Sequence, residues 1–295
     1  MPGKRDKLVV DYVRRVAAAY DPQLRVPEAE KKGVPSAGTG GVLICAPHPD
    51  DESLCGALPL RLAGEDGCPV TALAVTLGSN TARKEARLQE FIDACGVLGW
   101  QWLLAGEPMG FDNVTLVDRD HDLAAWQEKV AALAQIFCTH KPELILLPHI
   151  ADAHPVHVGV HCLCMEAIAH YSKSCDVGEL LVAETEFWQP APEPNLLVGV
   201  SEEDLARLVT AVGQHRGEVA RCPYHAQLPF RMVDTVRRGS ELLNRFGSGS
   251  EQLFRFGELY GLARFKGGES WVKGQGLAVA PGDLLTLAVL RKACA

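Results

Sequence analysis

Residues 41–64 read GVLICAPHPDDESLCGALPLRLAG, and their order decides the fold. The run 41–47 is apolar without a polar alternation, which predicts a short strand buried on both faces. It breaks at Pro47 into a turn crowded with His48, Asp50, Asp51 and Glu52, and apolar residues at helical spacing follow over 50–64. That is strand, loop and helix in about 24 residues. Working outward, the alternation continues: strands over 69–78 (PVTALAVTLG), 143–149 (ELILLPH) and 180–190, and helices over 82–99, 123–140 and 157–172. Apolar strands alternating with helices predict a doubly wound α/β fold, a mostly parallel sheet with helices on both faces, from about 38 to about 200.

Beyond that core the pattern changes. A Pro-rich stretch (APEPN) precedes a strand-like LLVGV and a helix opening at Ser201, whose acidic followers suit a cap and first turn. The segments 233–246 and 251–265 predict a final helix pair. No internal repeat is present, so residues 38–295 read as one α/β domain with a C-terminal helical elaboration, its core at about 41–200. Residues 1–37 read as an N-terminal helical extension, amphipathic and interrupted by Arg14 and Arg15, with no signal-peptide pattern.

A formal charge of -8 and the lack of a basic patch argue against nucleic acid as partner. No apolar run nears the ~18 residues of a spanning helix. The ten cysteines form no CxxC pair and sit in apolar stretches, which predicts buried thiols in a cytoplasmic protein. The expected partner is a small molecule, and a homo-oligomer is left open.

Two strand ends carry the chemistry. After the first strand, His48, Asp50, Asp51 and Glu52 share one turn, and like charges so close favour a bound cation. Acids at a helix start are also ordinary caps, so this turn alone leaves both readings standing. After the strand 143–149 come His149, Asp152, His154, His157 and His161. Parallel strands end on the same rim, where open α/β sheets place their ligands. Five of the ten histidines lie in these two segments, which favours a metal site of the two-His, one-carboxylate kind that catalytic zinc uses.

The stretch Ala46-Pro47-His48-Pro49-Asp50-Asp51-Glu52-Ser53, with Gly56 behind it, resembles the opening motif of the PIG-L, or LmbE-like, zinc N-deacetylases. That family removes acetyl groups from N-acetylglucosamine-type conjugates. The resemblance implies one zinc ion per chain, with His48 and Asp51 as ligands and Asp50 as general base. A later D-x-H-P-D-H motif reads Asp152-Ala153-His154-Pro155-Val156-His157, which implies His157 as third ligand and a protonated His154 against the oxyanion. Arg87 matches the Arg of an R-x-x-E helix that faces substrate, although Arg87 and Glu90 at helical spacing also read as a surface ion pair. Ser53 and Asp152 are further expected contacts to substrate. The family Asp before the last His is Val156 here, so a hydrogen bond that supports the ligands is lost unless Asp152 or a water replaces it.

Competing readings follow from the same residues. His157 and His161 stand four apart as in zincin helices, but Val158 replaces the Glu that HExxH needs. No GxSxG or GxGxxG is present. A degenerate member that binds metal and ligand without turnover is the alternative that Val156 raises, and a non-enzymatic partner-binding module has only the acidic charge in its favour.

Overall fold

The computed structural model describes residues 4–29, 39–175, 177–243, 254–266 and 270–295. Its sheet has the order β3-β2-β1-β4-β5-β7-β6-β9, with β8 paired to β7. The parallel half comprises β1 (Val42–Ala46), β2 (Val70–Ala74), β3 (Gln101–Leu104), β4 (Leu144–Pro148) and β5 (Glu179–Thr185). β6 (Leu196–Val200), β7 (Phe256–Lys266), β8 (Ser270–Lys273) and β9 (Leu277–Val279) complete it. β7 runs antiparallel to β5, β6 and β8, and β9 runs parallel to β6.

Strict alternation along the strands divides two cores. Val42, Ile44, Val70, Ala72, Leu144 and Leu146 face one side, while Leu43, Cys45, Leu73, Val75, Ile145 and Leu147 face the other. The first side is covered by α3 (Ala57–Glu65), α4 (Lys84–Leu98), α8 (Glu202–Val212), α10 (Tyr224–Leu243) and α11 (Leu287–Ala293). The second is covered by α6 (Leu123–His140) and α7 (Pro155–Ser174), whose Trp126, Val130, Phe137, Leu163 and Tyr171 are buried. This is the expected doubly wound α/β architecture. Further helices are α1 (Lys4–Ala19), α2 (Asp51–Leu54), α5 (Leu116–His121) and α9 (Arg216–Arg221), and Leu54 of α2 joins the first core.

The helix expected over 50–64 is two helices, α2 and α3, because the chain breaks at Cys55 and Gly56. A Cβ on Gly56 would stand 2.4 Å from Leu208 Cδ2, so the closeness of α8 requires glycine there. Ser201 caps α8 as its sequence predicts, its hydroxyl accepting from Asp204 N at 3.0 Å.

The second member of the expected final helix pair is wrong: the described part of 251–265 is strand β7, and residues 251–253 lie outside the described residues. A strand with neighbours on both sides and cover on both faces loses its polar alternation, so its apolar positions mimic helical spacing. Gly257 and Gly261 are poor helix formers and speak for the extended form.

β7 also completes α3. Glu258 Oε2 accepts from Ala57 N at 3.0 Å, and Tyr260 Oη accepts from Leu58 N at 3.0 Å while donating to Glu258. Two orphan N–H groups of the helix start are thereby satisfied from across the sheet. Gln214 holds the N-terminal segment, donating to Pro27 O at 2.8 Å and accepting from Ala29 N at 3.1 Å.

Burial pushes the Glu258 carboxyl up to about 7, above the range it would have unfolded. A raised carboxyl stabilises the fold fully below its unfolded value of roughly 4.3 and loses that contribution as pH rises through about 7. Glu258→Gln is therefore expected to flatten the decline of unfolding free energy between those values, an effect of up to about 3 kcal/mol, read by urea titrations at a series of pH values.

Candidate active site

β1 and β4 are neighbours in the sheet, and the strand order turns outward on either side of them. The loops that leave their carboxyl ends, at 47–50 and 149–154, therefore meet over the switch point where such sheets bind ligands. A pocket of about 700 Å³ opens there, lined by His48, Asp50, Asp51, His154, Val156 and His157, and farther out by Arg87, Trp188, Glu218, Arg221 and Tyr224.

Asp51 is the hub. One of its oxygens, Oδ2, lies 3.4 Å from His48 Nδ1 and 3.3 Å from His157 Nε2, and it also accepts from His48 N at 2.9 Å. Zinc bonds of 2.0–2.1 Å set two ligand atoms of a tetrahedral site about 3.3–3.4 Å apart, so these spacings fit one small cation. His154 turns toward the same point: the ring nitrogens of His48, His154 and His157 lie within 4.8 Å of one another. Two nitrogens and a carboxylate oxygen are a donor set that suits zinc and its neighbours among divalent ions.

The electrostatics of the cluster follow from burial and crowding. Burial opposes the charge on Asp51, but His157 and His48 outweigh it and hold the carboxyl far below the usual range. Burial likewise opposes a proton on His157, yet Asp51 and Asp152 raise it to about 9. Asp152 Oδ2 stands 3.7 Å from His157 Nδ1, an ion-pair approach rather than a hydrogen bond. Thus a carboxylate still backs the His157 ring although Val156 occupies the position where the motif has Asp. Burial lowers His48, and burial together with the neighbouring His48 and His157 lowers His154. These influences act against a proton on His154, the form in which the resemblance places it beside the oxyanion.

Asp50 sits beside Asp51 in a backbone conformation rare for a non-glycine residue, φ 118° and ψ −32°. Burial, then the charges of Asp51 and Glu52, push its carboxyl well above the usual carboxylate range. Its side chain lines the pocket beside Asp51.

Arg87 reaches the pocket from α4, with Nη2 3.4 Å from Pro49 O, on the same turn. Its ion partner is Glu218 of α9, Nε to Oε1 3.6 Å, rather than Glu90, which pairs with Arg83. Glu218 also binds Arg221 at 2.5 Å; burial opposes its charge, and Arg87 and then Arg221 hold it below the usual range.

Two expected substrate contacts are not in the pocket. Ser53 is buried with its hydroxyl donated to Glu52 Oε1 at 2.6 Å, since the first turn of α2 points it into the protein. Asp152 is buried and spends its oxygens on His154 N at 2.8 Å and Trp188 N at 3.2 Å, so it shapes the loop that carries the histidines. His161, the zincin-type candidate, turns away to Pro148 O at 2.9 Å. Sequence reading missed Glu218, Arg221, Tyr224 and Trp188, which lie in segments with no motif to mark them.

Residues 43–168 match the family model described as PIG-L, GlcNAc-PI de-N-acetylase. A Bacillus cereus protein named as a probable N-acetyl-alpha-D-glucosaminyl L-malate deacetylase 2 is 29% identical over 190 residues, 60% of this chain and 83% of that protein. A conserved protein of Thermus thermophilus aligns with a TM-score of 0.54 and 22% identity over 75% of this chain and 93% of its own. The 4-carboxy-2-hydroxymuconate hydratase of Pseudomonas putida KT2440 aligns with a TM-score of 0.54 and 16% identity, covering 79% and 98%. At such identities the two structures speak for the fold alone.

Gly78, at φ +81°, leaves Arg87 its place, because a Cβ there would fall 2.1 Å from Arg87 Nη1. Gly78→Ala is expected to cost roughly 1–3 kcal/mol of stability through the strained backbone and to displace the guanidinium, as measured by the denaturant midpoint and a crystal structure of the variant.

Proposed function

We propose that this chain, which carries a PIG-L-type domain over residues 43–168, is a zinc-dependent N-deacetylase acting on a small N-acetylated amino-sugar conjugate. One observation carries the reading: a single Asp51 oxygen stands 3.3–3.4 Å from two imidazole nitrogens, with the raised carboxyl of Asp50 alongside. The Bacillus cereus relative supports N-acetylglucosaminyl conjugates as the substrate class.

His48, Asp51 and His157 would hold the metal. A divalent cation there supplies Lewis acidity, polarising an amide carbonyl and lowering the pKa of water. Asp50 takes the proton of the water that attacks the acetyl carbon and returns it to the leaving amine, a task that its raised carboxyl suits. His154 stays outside the ligand set, because a fourth protein ligand would close the position that a catalytic site keeps open. It donates a ring N–H to the carbonyl oxygen as negative charge builds there. Arg87, anchored by Glu218, meets the polar part of the substrate. Trp188 stacks near His154, ring centroids 6.0 Å apart, and offers an apolar face to a sugar ring.

Residues 38–295 act as one domain in this scheme, with 1–37 appended to it. Among the described residues no helix is long and apolar enough to cross a membrane. All ten cysteines are free thiols, which supports a reducing, cytoplasmic setting.

The test is amine release from a panel of N-acetylated amino-sugar conjugates by protein of known metal content. His48→Ala, Asp51→Ala and His157→Ala are expected to lose stoichiometric metal along with turnover. Asp50→Asn is expected to keep the metal and lose about 10²–10⁴-fold in kcat, and His154→Ala to keep it and lose about 10²–10³-fold. Full metal retention by His157→Ala, or loss of metal by His154→Ala, would reverse the ligand assignment.

A further inference from the structure

His215 is a buried histidine that the site chemistry above leaves unused. It stands directly before α9, fully buried, with Nε2 2.7 Å from Glu52 Oε1. Glu52 is fully buried too. Its Oε1 takes His215 and the Ser53 hydroxyl, and its Oε2 accepts from Asp50 N at 2.8 Å. The carboxylate therefore bridges the C-terminal half of the chain to the backbone of the proposed base.

The bridge bears on Asp50 because of its backbone. A non-glycine residue at φ 118° occupies a strained conformation that persists only where its surroundings over-determine it. The Asp50 N–H is held there by Glu52 Oε2, and Glu52 is in turn aimed by the two donors on its other oxygen. Ser53, one residue away on the same short helix, moves with Glu52 and cannot anchor it from outside. His215 can, because its own backbone is tied to α8 and α9: His215 N donates to Val212 O at 3.2 Å, and its carbonyl accepts from Glu218 N and Val219 N, each at 2.9 Å.

The imidazole's second nitrogen, Nδ1, is buried and has no hydrogen-bond partner among the described residues, so Glu52 is the group that orients the ring. α9, which His215 precedes, carries Glu218, the partner of Arg87. α9 thereby sets two groups of the pocket at once.

From this geometry we infer that His215 is a positioning residue for the deacetylation, acting through the Glu52 carboxylate to hold the strained Asp50 turn and hence the direction of the base. The inference rests on Asp50 being that base. It does not involve the metal ligands' own bonds, so its signature is a loss in kcat without loss of metal.

Two substitutions separate positioning from mere packing. The amide of His215→Gln reaches the place of Nε2 and can still donate to Glu52, whereas that of His215→Asn stops short at the place of Nδ1. His215→Asn is expected to lose about 10- to 100-fold in kcat, with KM within about twofold and metal content unchanged, while His215→Gln recovers to within about threefold. Crystal structures of the pair are expected to show Asp50 leaving its positive-φ conformation in the Asn variant and keeping it in the Gln variant. Equal kcat in the two variants, a change confined to KM or metal content, or an Asp50 turn unmoved in His215→Asn would each overturn the inference. If wild-type protein releases no amine from any compound, the deacetylase reading fails, and the Asp50 conformations still decide whether His215 holds the turn.

Discussion

Three consecutive carboxyl groups, Asp50, Asp51 and Glu52, are buried at the end of β1, and the structure depends on how that crowding is resolved. Buried like charges are tolerated only when each has its own compensation. Asp51 finds it in two imidazoles, and Glu52 in His215, Ser53 and a backbone N–H. Asp50 is left with the burden, its carboxyl driven up by burial and by the other two. In the mechanism we propose, the arrangement sorts three chemically similar acids into a coordinating group, a structural brace and a proton acceptor, with environment rather than residue type deciding among them.

The sheet makes that sorting possible. Because β1 and β4 are adjacent and parallel, the turn after one delivers the acids and the loop after the other delivers the histidines, on the same rim. The two cores on either face fix the strands, so the positions of His48, Asp51 and His157 are inherited from the least deformable part of the molecule. Asp152 secures the histidine loop from behind, by way of His154 N and Trp188 N. Its nearness to His157 explains how the cluster keeps a supporting carboxylate although Val156 stands in the motif's Asp position.

What was legible in the sequence tracks how local the cause is. The strand-turn-helix over 41–64 and the histidines after 149 could be read because short strands, turns and motif spacings are properties of neighbouring residues. β7 was misread because its extended form is imposed by β5 and β6, which lie far upstream in the chain, and not by its own alternation. The placement of Ser53 needed the phase of a four-residue helix, which no periodicity defines over so few positions. His215 and Glu218 carry no motif at all; their meaning comes from Glu52 and Arg87, which are distant in sequence.

The insertion of β7 between β5 and β6 has a consequence for how the molecule comes into being. All the motif residues precede Gly159, yet the open edge of β5 is covered only when Phe256–Lys266 arrives, and that strand also supplies the Glu258 and Tyr260 that cap α3. His215, the counterweight to Glu52, is likewise supplied late. During synthesis the chain therefore carries the motif residues on a sheet whose edge is bare and whose acidic turn is unbraced. Long-range pairings of this kind form slowly and leave sticky intermediates. The proposed reaction centre is written before residue 160 and becomes rigid only with the strand that ends at Lys266.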